Sequence, residues 1–346
     1  MIELLKQHKD LYDLFTKQEE YNSPILDRYQ RFPYYLGKHR DIFEPVVSKF
    51  LINNGLTIDY PDDKKFAICL THDIDSVYLS KKAMISRFAN SVMNKKIKDV
   101  YKILFHKLNK KWNPFWNFGE IMSLEDKYDA KSSFYFLAID ENNLNFNFDI
   151  EDLKDEMTNI TDNGWEVGLH GGHEAYDSLN EIKKEKHRLE EVLGKKVIGY
   201  RNHFLRFKIP DTWELLSKAG FKYDSTFGYA DCAGFRNGMC HPFKPFNLNK
   251  NEEIDILEIP LVVMDGTLFD KMSLNDKEAW EITKMLIDTV EKYNGIGTIL
   301  WHNTSMEDSS LKFYEKILRY CNEKNAWMTS GEEIFNIYNK NDKIKG

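Results

Sequence analysis

The sequence predicts an α/β fold of parallel strands alternating with helices, arranged as a barrel or a distorted barrel as readily as an open sheet. Short apolar segments of strand length recur between amphipathic segments of helix length along most of the chain. Glycine follows several of the helical segments, where it can end a helix in a left-handed conformation. Roughly seven or eight strands fall within about 270 residues, a number that suits a barrel.

The composition allows one large core or two smaller ones. The chain has 346 residues, of which 42% are hydrophobic and 30% charged, and its net charge is −7. Lysines and arginines are scattered among acids, which argues against nucleic acid or an anionic membrane as the main partner. Aromatic residues make up 14% of the chain. Because aromatic rings also stack on sugars, a carbohydrate partner stays open.

The first sixty residues predict helices over 2–18 and 39–54 and no strand. We therefore expect residues 1–60 to form a helical extension packed on a main domain that spans residues 61–340. The amino terminus is polar rather than signal-like, and the chain has no run of about 18 apolar residues that would span a membrane. A cytoplasmic location is the expectation.

The first predicted strand covers residues 66–71 and ends abruptly in His72, Asp73 and Asp75. Its apolar character is typical of a buried parallel strand. In an extended chain, Asp73 and Asp75 point to the same side, whereas His72 points to the other. Taken alone, the two aspartates are more typical of a solvated strand end than of a site.

The remaining elements follow in alternation. A long basic helix is predicted over 77–111, and an aromatic cluster over 112–119 ends it. Further helices are predicted over 119–129, 150–163, 178–193, 210–219, 276–293, 310–323 and 331–341. Strands are predicted over 132–137, 165–169, 197–200, 221–223, 254–261, 297–301 and 326–328.

Polar residues follow several of these strands. His170-Gly171-Gly172-His173-Glu174 ends one strand, Arg201-Asn202-His203 the next, and His302-Asn303 a later one. The carboxyl ends of parallel strands meet on one face, which is where α/β proteins build their sites. The sequence therefore predicts one rim that carries histidines, an arginine and the two aspartates.

These residue types suit metal-assisted hydrolysis of an amide or ester. One aspartate and two histidines can bind a catalytic metal and leave positions open for water and a substrate oxygen. A second carboxylate can accept a proton from water, and a histidine can protonate the leaving group. An arginine can hold the base ionised.

The ordered motifs resemble those of the polysaccharide deacetylase family. They are Thr71-His72-Asp73-Ile74-Asp75, Ser133-Phe134-Tyr135-Phe136, Gly168-Leu169-His170, Tyr200-Arg201 and Leu300-Trp301-His302. The resemblance covers roughly residues 60–335 and is greatest to members with a Thr-His-Asp-x-Asp first motif. It implies the NodB-homology fold, a distorted (β/α) barrel.

The resemblance also implies roles for individual residues. Asp73 matches the catalytic base, Arg201 the arginine that holds it, and His302 the general acid. Asp75 and His170 match metal ligands, and a divalent ion, most simply Zn²⁺, is the implied cofactor.

The sequence departs from the family's motifs at the metal ligands. Ile74 separates the two aspartates, which are usually adjacent. His173 lies three residues after His170 rather than four, and Glu174 takes the fourth place. We favour His173 as the third ligand, with Glu174 as a competitor because a carboxylate also binds zinc.

The family's usual fourth motif is not apparent, and residues 223–238 stand in its place. We expect Arg206, Tyr229 and Arg236 to bind substrate, the arginines by meeting an anionic sugar or phosphate. An ordinary ion pair is the alternative for both arginines.

The predicted function is a metal-dependent hydrolase that removes an N-acetyl or similar acyl group from a sugar, in surface polysaccharide or glycoconjugate biosynthesis. The alternatives are hydrolysis of another non-peptide C–N bond, such as a small amide or formyl group, and an inactive relative that only binds glycan. A glycosyltransferase would leave the histidines without a role. The expected partner is an N-acetylated sugar, a nucleotide sugar or a lipid-linked glycan, and the sequence does not predict the oligomeric state.

Overall fold

The computed structural model describes residues 1–106, 109, 112–143 and 145–344. The twelve α-helices of these residues are α1 Ile2–Leu5, α2 Lys9–Thr16, α3 Val46–Asn53, α4 Lys81–Met93, α5 Ile97–Phe105, α6 Phe118–Asp126, α7 Lys154–Asp162, α8 Leu179–Leu193, α9 Asp211–Lys218, α10 Asp276–Lys292, α11 Asp308–Glu323 and α12 Gly331–Ile344. The strands are β1 Ala67–Ile74, β2 Ser133–Leu137, β3 Glu166–Gly171, β4 Gly199–Asn202, β5 Tyr223–Asp224, β6 Phe246–Asn247, β7 Glu252–Glu253, β8 Leu257–Glu258, β9 Leu261–Met264, β10 Ile296–Leu300 and β11 Trp327–Thr329.

One parallel sheet organises the molecule. Its strands lie in the order β8-β5-β4-β3-β2-β1-β10-β9, and β11 pairs with the first half of β1. β8 pairs with β5 and β9 pairs with β10, yet only Ile259 and Pro260 separate β8 from β9. A single stretch of chain therefore joins both edges, and the sheet curls into the predicted distorted (β/α) barrel.

Two predicted elements are divided in the structure. The helix predicted over 77–111 becomes α4 and α5, because Lys95 adopts a left-handed φ of 54° between them. Residues 107, 108, 110 and 111 of that prediction lie outside the described residues. The strand predicted over 254–261 becomes β8 and β9, because the chain changes partner strand at Pro260.

β1 is longer than predicted. It continues through Thr71, His72 and Asp73 to Ile74, and all eight of its residues are buried. Its second half pairs with β2, so His72 and Asp73 lie opposite Phe134 and Tyr135. The polar residues are therefore part of the strand and not its solvated end.

Residues 1–60 pack on the barrel. Leu5, Phe15, Val47 and Leu51 belong to the main hydrophobic core. A third predicted element is divided here, since the helix predicted over 2–18 becomes α1 and α2. The helix predicted over 39–54 is shorter in the structure, since residues 39–45 are not helical and α3 begins only after Pro45. The boundary of the extension near residue 60 stays a prediction.

Candidate active site

Three strands of the parallel sheet bring the site together: β1, and the neighbouring pair β3 and β4, with β2 between β1 and β3. β1 supplies Asp73 and is followed at once by Asp75, while β3 supplies His170. His170 lies in register with Arg201 on β4, and His203 follows β4 directly. The carboxyl ends of these strands lie at the same edge of the sheet, as the parallel arrangement requires.

Asp75, His170 and His203 form a group that could hold a metal ion. One donor atom from each lies within 4.8 Å of the others. His170 Nε2 is 3.0 Å from Asp75 Oδ1 and 3.1 Å from His203 Nδ1, and His203 Nδ1 is 3.3 Å from Asp75 Oδ1. Two imidazoles and one carboxylate are a donor set that suits zinc and leaves positions open.

The surroundings of the group fit a bound cation. His170 Nδ1 donates to the carbonyl oxygen of Arg201 at 3.0 Å, so the ring presents Nε2 to the group. Asp75 Oδ1 is buried without a well-directed hydrogen-bond donor in the described part of the chain. A buried polar atom left in this way is costly, and a metal ion would satisfy it.

The pKa shifts of the three residues favour ligand forms at two positions. Burial raises the pKa of Asp75, but the charge of His203 and the close ring nitrogens of both histidines outweigh it, leaving the pKa well below its usual range. Burial lowers the pKa of His203 despite the opposing effect of Asp75. Burial also acts on His170, but the carboxylates of Asp73 and Asp75 outweigh it and raise the pKa of that imidazole.

Asp73 lies next to this group without belonging to it. Its Oδ2 is 3.8 Å from His170 Nε2, and its Oδ1 is 3.7 Å from Arg201 Nε. Arg201 is fully buried and donates to the hydroxyls of Thr71 and Ser225, both at 3.0 Å. These two bonds fix a positive charge beside a carboxylate oxygen that has no other donor among the described residues.

His302 faces the group from the end of β10. Its Nε2 is 3.7 Å from Asp75 Oδ2, and its Nδ1 donates to Asp265 Oδ1 at 2.6 Å. Asp265 Oδ2 also accepts from the backbone N–H of His302 at 3.0 Å. Although burial lowers the pKa of His302, the charge and hydrogen bond of Asp265 raise it to about 10. The ring is held in the protonated form that can give up a proton.

The structure does not bring His173 or Glu174 into the group of Asp75, His170 and His203. His173 Nδ1 lies 2.7 Å from Arg206 Nη1, and Glu174 Oε1 lies 3.4 Å from the same nitrogen. β3 ends at Gly171, so the chain turns away before His173, and Arg206 holds both side chains elsewhere. His203 takes the position that we expected His173 to fill.

The three predicted substrate-binding residues also lie elsewhere. Arg206 is buried against His173 and the carbonyl oxygen of Tyr29. Arg236 forms a buried ion pair with Glu20, which is the alternative to substrate binding that the sequence left open. Tyr229 accepts a hydrogen bond from Lys17 Nζ at 3.0 Å. These contacts join the barrel to residues 1–60.

A cavity of about 210 Å³ opens over the site, and other side chains line it. Besides the site residues, its walls include Tyr29, Arg31, Phe204, Leu205, Met264 and Lys271. Tyr29 stacks on Phe204 with ring centroids 4.6 Å apart, and Arg31 donates to the Phe204 carbonyl. The amino-terminal extension therefore contributes one wall of the cavity.

His72 lies on the other side of β1, as its place in the strand predicts. Its Nδ1 donates to the Trp301 carbonyl at 2.7 Å, and its Nε2 is 2.8 Å from Glu125 Oε1. Glu125 also accepts from Ser132, Trp165 and Tyr314. His72 is thus part of a buried network with no face on the cavity.

The sequence predicted no role for His203 or Asp265, and the structure places both at this rim. His203 was visible at the end of β4, two residues after Arg201, but the family's local histidine spacing drew attention to His173. Asp265 follows β9 directly and precedes Gly266, so a carboxylate at a strand end was the available signal.

No family model matches the sequence. The peptidoglycan deacetylase of Helicobacter pylori (strain ATCC 700392 / 26695) is 26% identical over 229 residues, covering 57% of this chain and 78% of that protein. Among solved structures, a candidate polysaccharide deacetylase from Mycobacterium smegmatis superposes with a TM-score of 0.56 at 16% identity, covering 81% of this chain and 92% of that chain. The structural likeness confirms the fold.

Proposed function

We propose that the protein is a metal-dependent hydrolase that removes an N-acetyl or similar acyl group from a sugar. The observation that carries the proposal is the arrangement of the rim. Asp75, His170 and His203 converge, with a second carboxylate on one side and a protonated histidine on the other. The sequence likeness to a protein named a peptidoglycan deacetylase supports the same chemistry.

The metal ligands in this proposal are Asp75, His170 and His203, and Zn²⁺ is the ion that their donor set favours. When bound, a divalent ion supplies Lewis acidity that polarises the acyl carbonyl and makes water easier to deprotonate.

Asp73 acts as the general base in this proposal. Its carboxylate lies beside the ligand group but leaves Oδ1 free for a water molecule. Arg201 positions it, because bonds to Thr71 and Ser225 hold the guanidinium in place. Such a base contributes about 10²- to 10⁴-fold to the rate.

His302 acts as the general acid. It approaches from the end of β10, 3.7 Å from Asp75 Oδ2, with a proton on the nitrogen that faces the site. Asp265 fixes its orientation through two hydrogen bonds. Protonating the amine as the C–N bond breaks prevents an unstable amide anion from leaving.

The cavity walls set the substrate class. Tyr29 and Arg31 of the extension and Lys271 after β9 lie in these walls. Tyr29 stacks on Phe204 and Arg31 pairs with Asp27, whereas Lys271 is exposed. We expect Lys271 to meet a phosphate or another anionic group, as a nucleotide sugar or a lipid-linked glycan carries. A role in surface polysaccharide or glycoconjugate biosynthesis, a cytoplasmic location and membership of the Thr-His-Asp-x-Asp subgroup remain predictions.

The experiment is acetate release from a panel of N-acetylated sugars, nucleotide sugars and chito-oligosaccharides, set against small cyclic amides and formamides. Zinc-loaded enzyme should release acetate from at least one sugar, and Asp73→Asn should abolish the release while keeping the metal. Turnover confined to the small amides would instead support the other C–N hydrolase. Full metal occupancy without turnover of any panel member would support the glycan-binding relative.

A further inference from the structure

The helical hairpin formed by α4 and α5 presents its apolar side chains to solvent. Eight of the fourteen large hydrophobic residues that are exposed in the described part of the chain fall within these two helices, and Ile97 and Met93 are 80% and 75% exposed. The eight are Ile85, Phe88, Val92, Met93, Ile97, Tyr101, Leu104 and Phe105. Scattered exposed hydrophobics are ordinary, but a concentration of this kind marks an interaction surface.

The spacing places these residues on one stripe of each helix. In α4, Ile85, Phe88 and Val92 recur at intervals of three and four, and in α5 Ile97, Tyr101 and Leu104 do the same. The less exposed side of the hairpin is mixed. Arg87 pairs there with Glu307 and Ser91 is buried, while Met84 and Ile103 are half-buried. Most of the large apolar residues of the hairpin therefore face solvent.

The hairpin is also strongly basic. Residues 81–106 contain seven lysines and arginines and one acid, Asp99, within a chain whose net charge is −7. The six lysines are all exposed, and none has a carboxylate within ion-pair distance among the described residues; they are Lys81, Lys82, Lys95, Lys96, Lys98 and Lys102. The net charge of the whole chain, which argued against an anionic membrane, does not reveal this local concentration of positive charge.

We propose that the hairpin of residues 81–105 binds peripherally to the surface of an anionic lipid bilayer. Apolar stripes between exposed lysines suit a bilayer interface, where the stripes enter the acyl boundary and the lysines meet lipid phosphates. None of the described helices is long and apolar enough to cross a membrane. The exposed lysines favour a lipid surface over a second copy of the chain. A second copy would need a surface that covers the positive charges and the apolar stripes together.

The hairpin lies close to the candidate site. It follows Asp75 in the chain by a few residues, and Arg87 ties it to Glu307, just beyond His302. Docking there would hold the rim at the membrane surface. Binding to lipid does not depend on the deacetylase chemistry, so a failure of one proposal would not contradict the other.

Vesicle flotation tests the proposal with the full chain. The vesicles are phosphatidylcholine alone or an equal mixture with phosphatidylglycerol, at low and at physiological salt. The wild-type chain should float with the anionic vesicles and more weakly at higher salt.

Two double variants at exposed positions probe the surface. One is Val92→Ser with Ile97→Ser, and the other is Lys95→Glu with Lys98→Glu. Each variant should weaken partitioning by about tenfold or more. The lysine variant reverses charges that attract the anionic surface, and the serine variant removes side chains that would enter the acyl boundary.

Matched controls change equally exposed residues elsewhere. Ile25→Ser with Leu26→Ser removes apolar surface outside the hairpin, and Lys183→Glu with Lys277→Glu reverses two charges on α8 and α10. Both should float like the wild type. Failure of the wild type to float with anionic vesicles, or equal loss in hairpin and control variants, would overturn the proposal. A sedimentation velocity dimer that the hairpin variants dissociate, without vesicle binding, would identify a second copy as the occupant instead.

Discussion

Two histidine–carboxylate clusters lie on opposite sides of β1, and their hydrogen bonding differs sharply. Behind the strand, His72 and Glu125 are fully buried, and both oxygens of Glu125 accept two hydrogen bonds each. On the cavity side, Asp73 Oδ1 and Asp75 Oδ1 have no well-directed donor among the described residues. Residues that are neighbours in the chain thus have different surroundings: on one side of β1 the buried polar atoms are hydrogen-bonded, and on the other side some of them are not.

The difference separates structure from function. A buried polar network with every atom bonded stabilises one arrangement and has nothing left to offer a ligand. Buried atoms without partners carry a cost that folding alone does not explain, and they mark the place where a metal ion, water or substrate completes the bonding. Substitutions on the two sides of β1 should therefore have different consequences, for activity on the cavity side and for stability behind the strand.

Asp73→Asn should leave metal content and thermal stability nearly unchanged while lowering the rate of acetate release about 10²- to 10⁴-fold. The amide keeps the shape of the carboxylate but cannot accept the proton. Steady-state kinetics of the metal-loaded variant give the measurement. A variant within a few fold of the wild type would remove Asp73 from the role of base.

Glu125→Gln should act in the opposite manner, lowering the free energy of unfolding by about 1–3 kcal/mol, because the amide nitrogen would face buried donors that the carboxylate now accepts from. Denaturant unfolding measures this loss, and folded variant at low temperature should keep the wild-type rate per bound metal. Glu120→Gln, an exposed change on the same helix α6, provides the control and should be neutral. A stable but inactive Glu125→Gln would contradict the division between the two clusters.

Asp265→Asn should slow turnover by about 10- to 100-fold, the usual cost of losing a residue that orients a catalytic histidine. Its loss removes the negative charge that raises the pKa of His302. In a His302→Gln background the same change should cost almost nothing further. Independent, additive losses would show that Asp265 acts elsewhere than through His302.

Glu185 should make stability fall as pH rises. Burial raises its pKa to about 7, and the backbone N–H of Gly172 opposes this only in part. The folded state therefore holds a proton that the unfolded chain releases above about pH 4.3. Between that pH and the folded pKa, the free energy of unfolding falls by about 1.4 kcal/mol per pH unit, and above the folded pKa the loss is complete. Glu185→Gln should gain stability relative to the wild type between pH 5 and pH 8. The exposed change Glu323→Gln should show no such gain, and a pH-independent difference for Glu185→Gln would contradict the shift.

Much of this organisation follows from local sequence. The apolar strand, the same-side aspartates, His170 and Arg201 at strand ends, and the opposite direction of His72 all depend on strand periodicity and parallel pairing. His203 and Asp265 also follow strands directly, but whether they face the same site depends on which strands lie side by side, and local sequence does not encode that arrangement. The engagement of Arg206, Tyr229 and Arg236 depends on how residues 1–60 pack on the barrel, a long-range contact that the sequence does not specify.

The most direct test of the site is the metal content of two histidine variants, measured by elemental analysis after zinc loading and dialysis. His203→Ala should lose the metal that the wild type retains at about one ion per chain, because three protein ligands hold a catalytic ion. His173→Ala should retain it, since that ring contacts Arg206 instead. Full occupancy in His203→Ala together with loss in His173→Ala would contradict the metal centre described here.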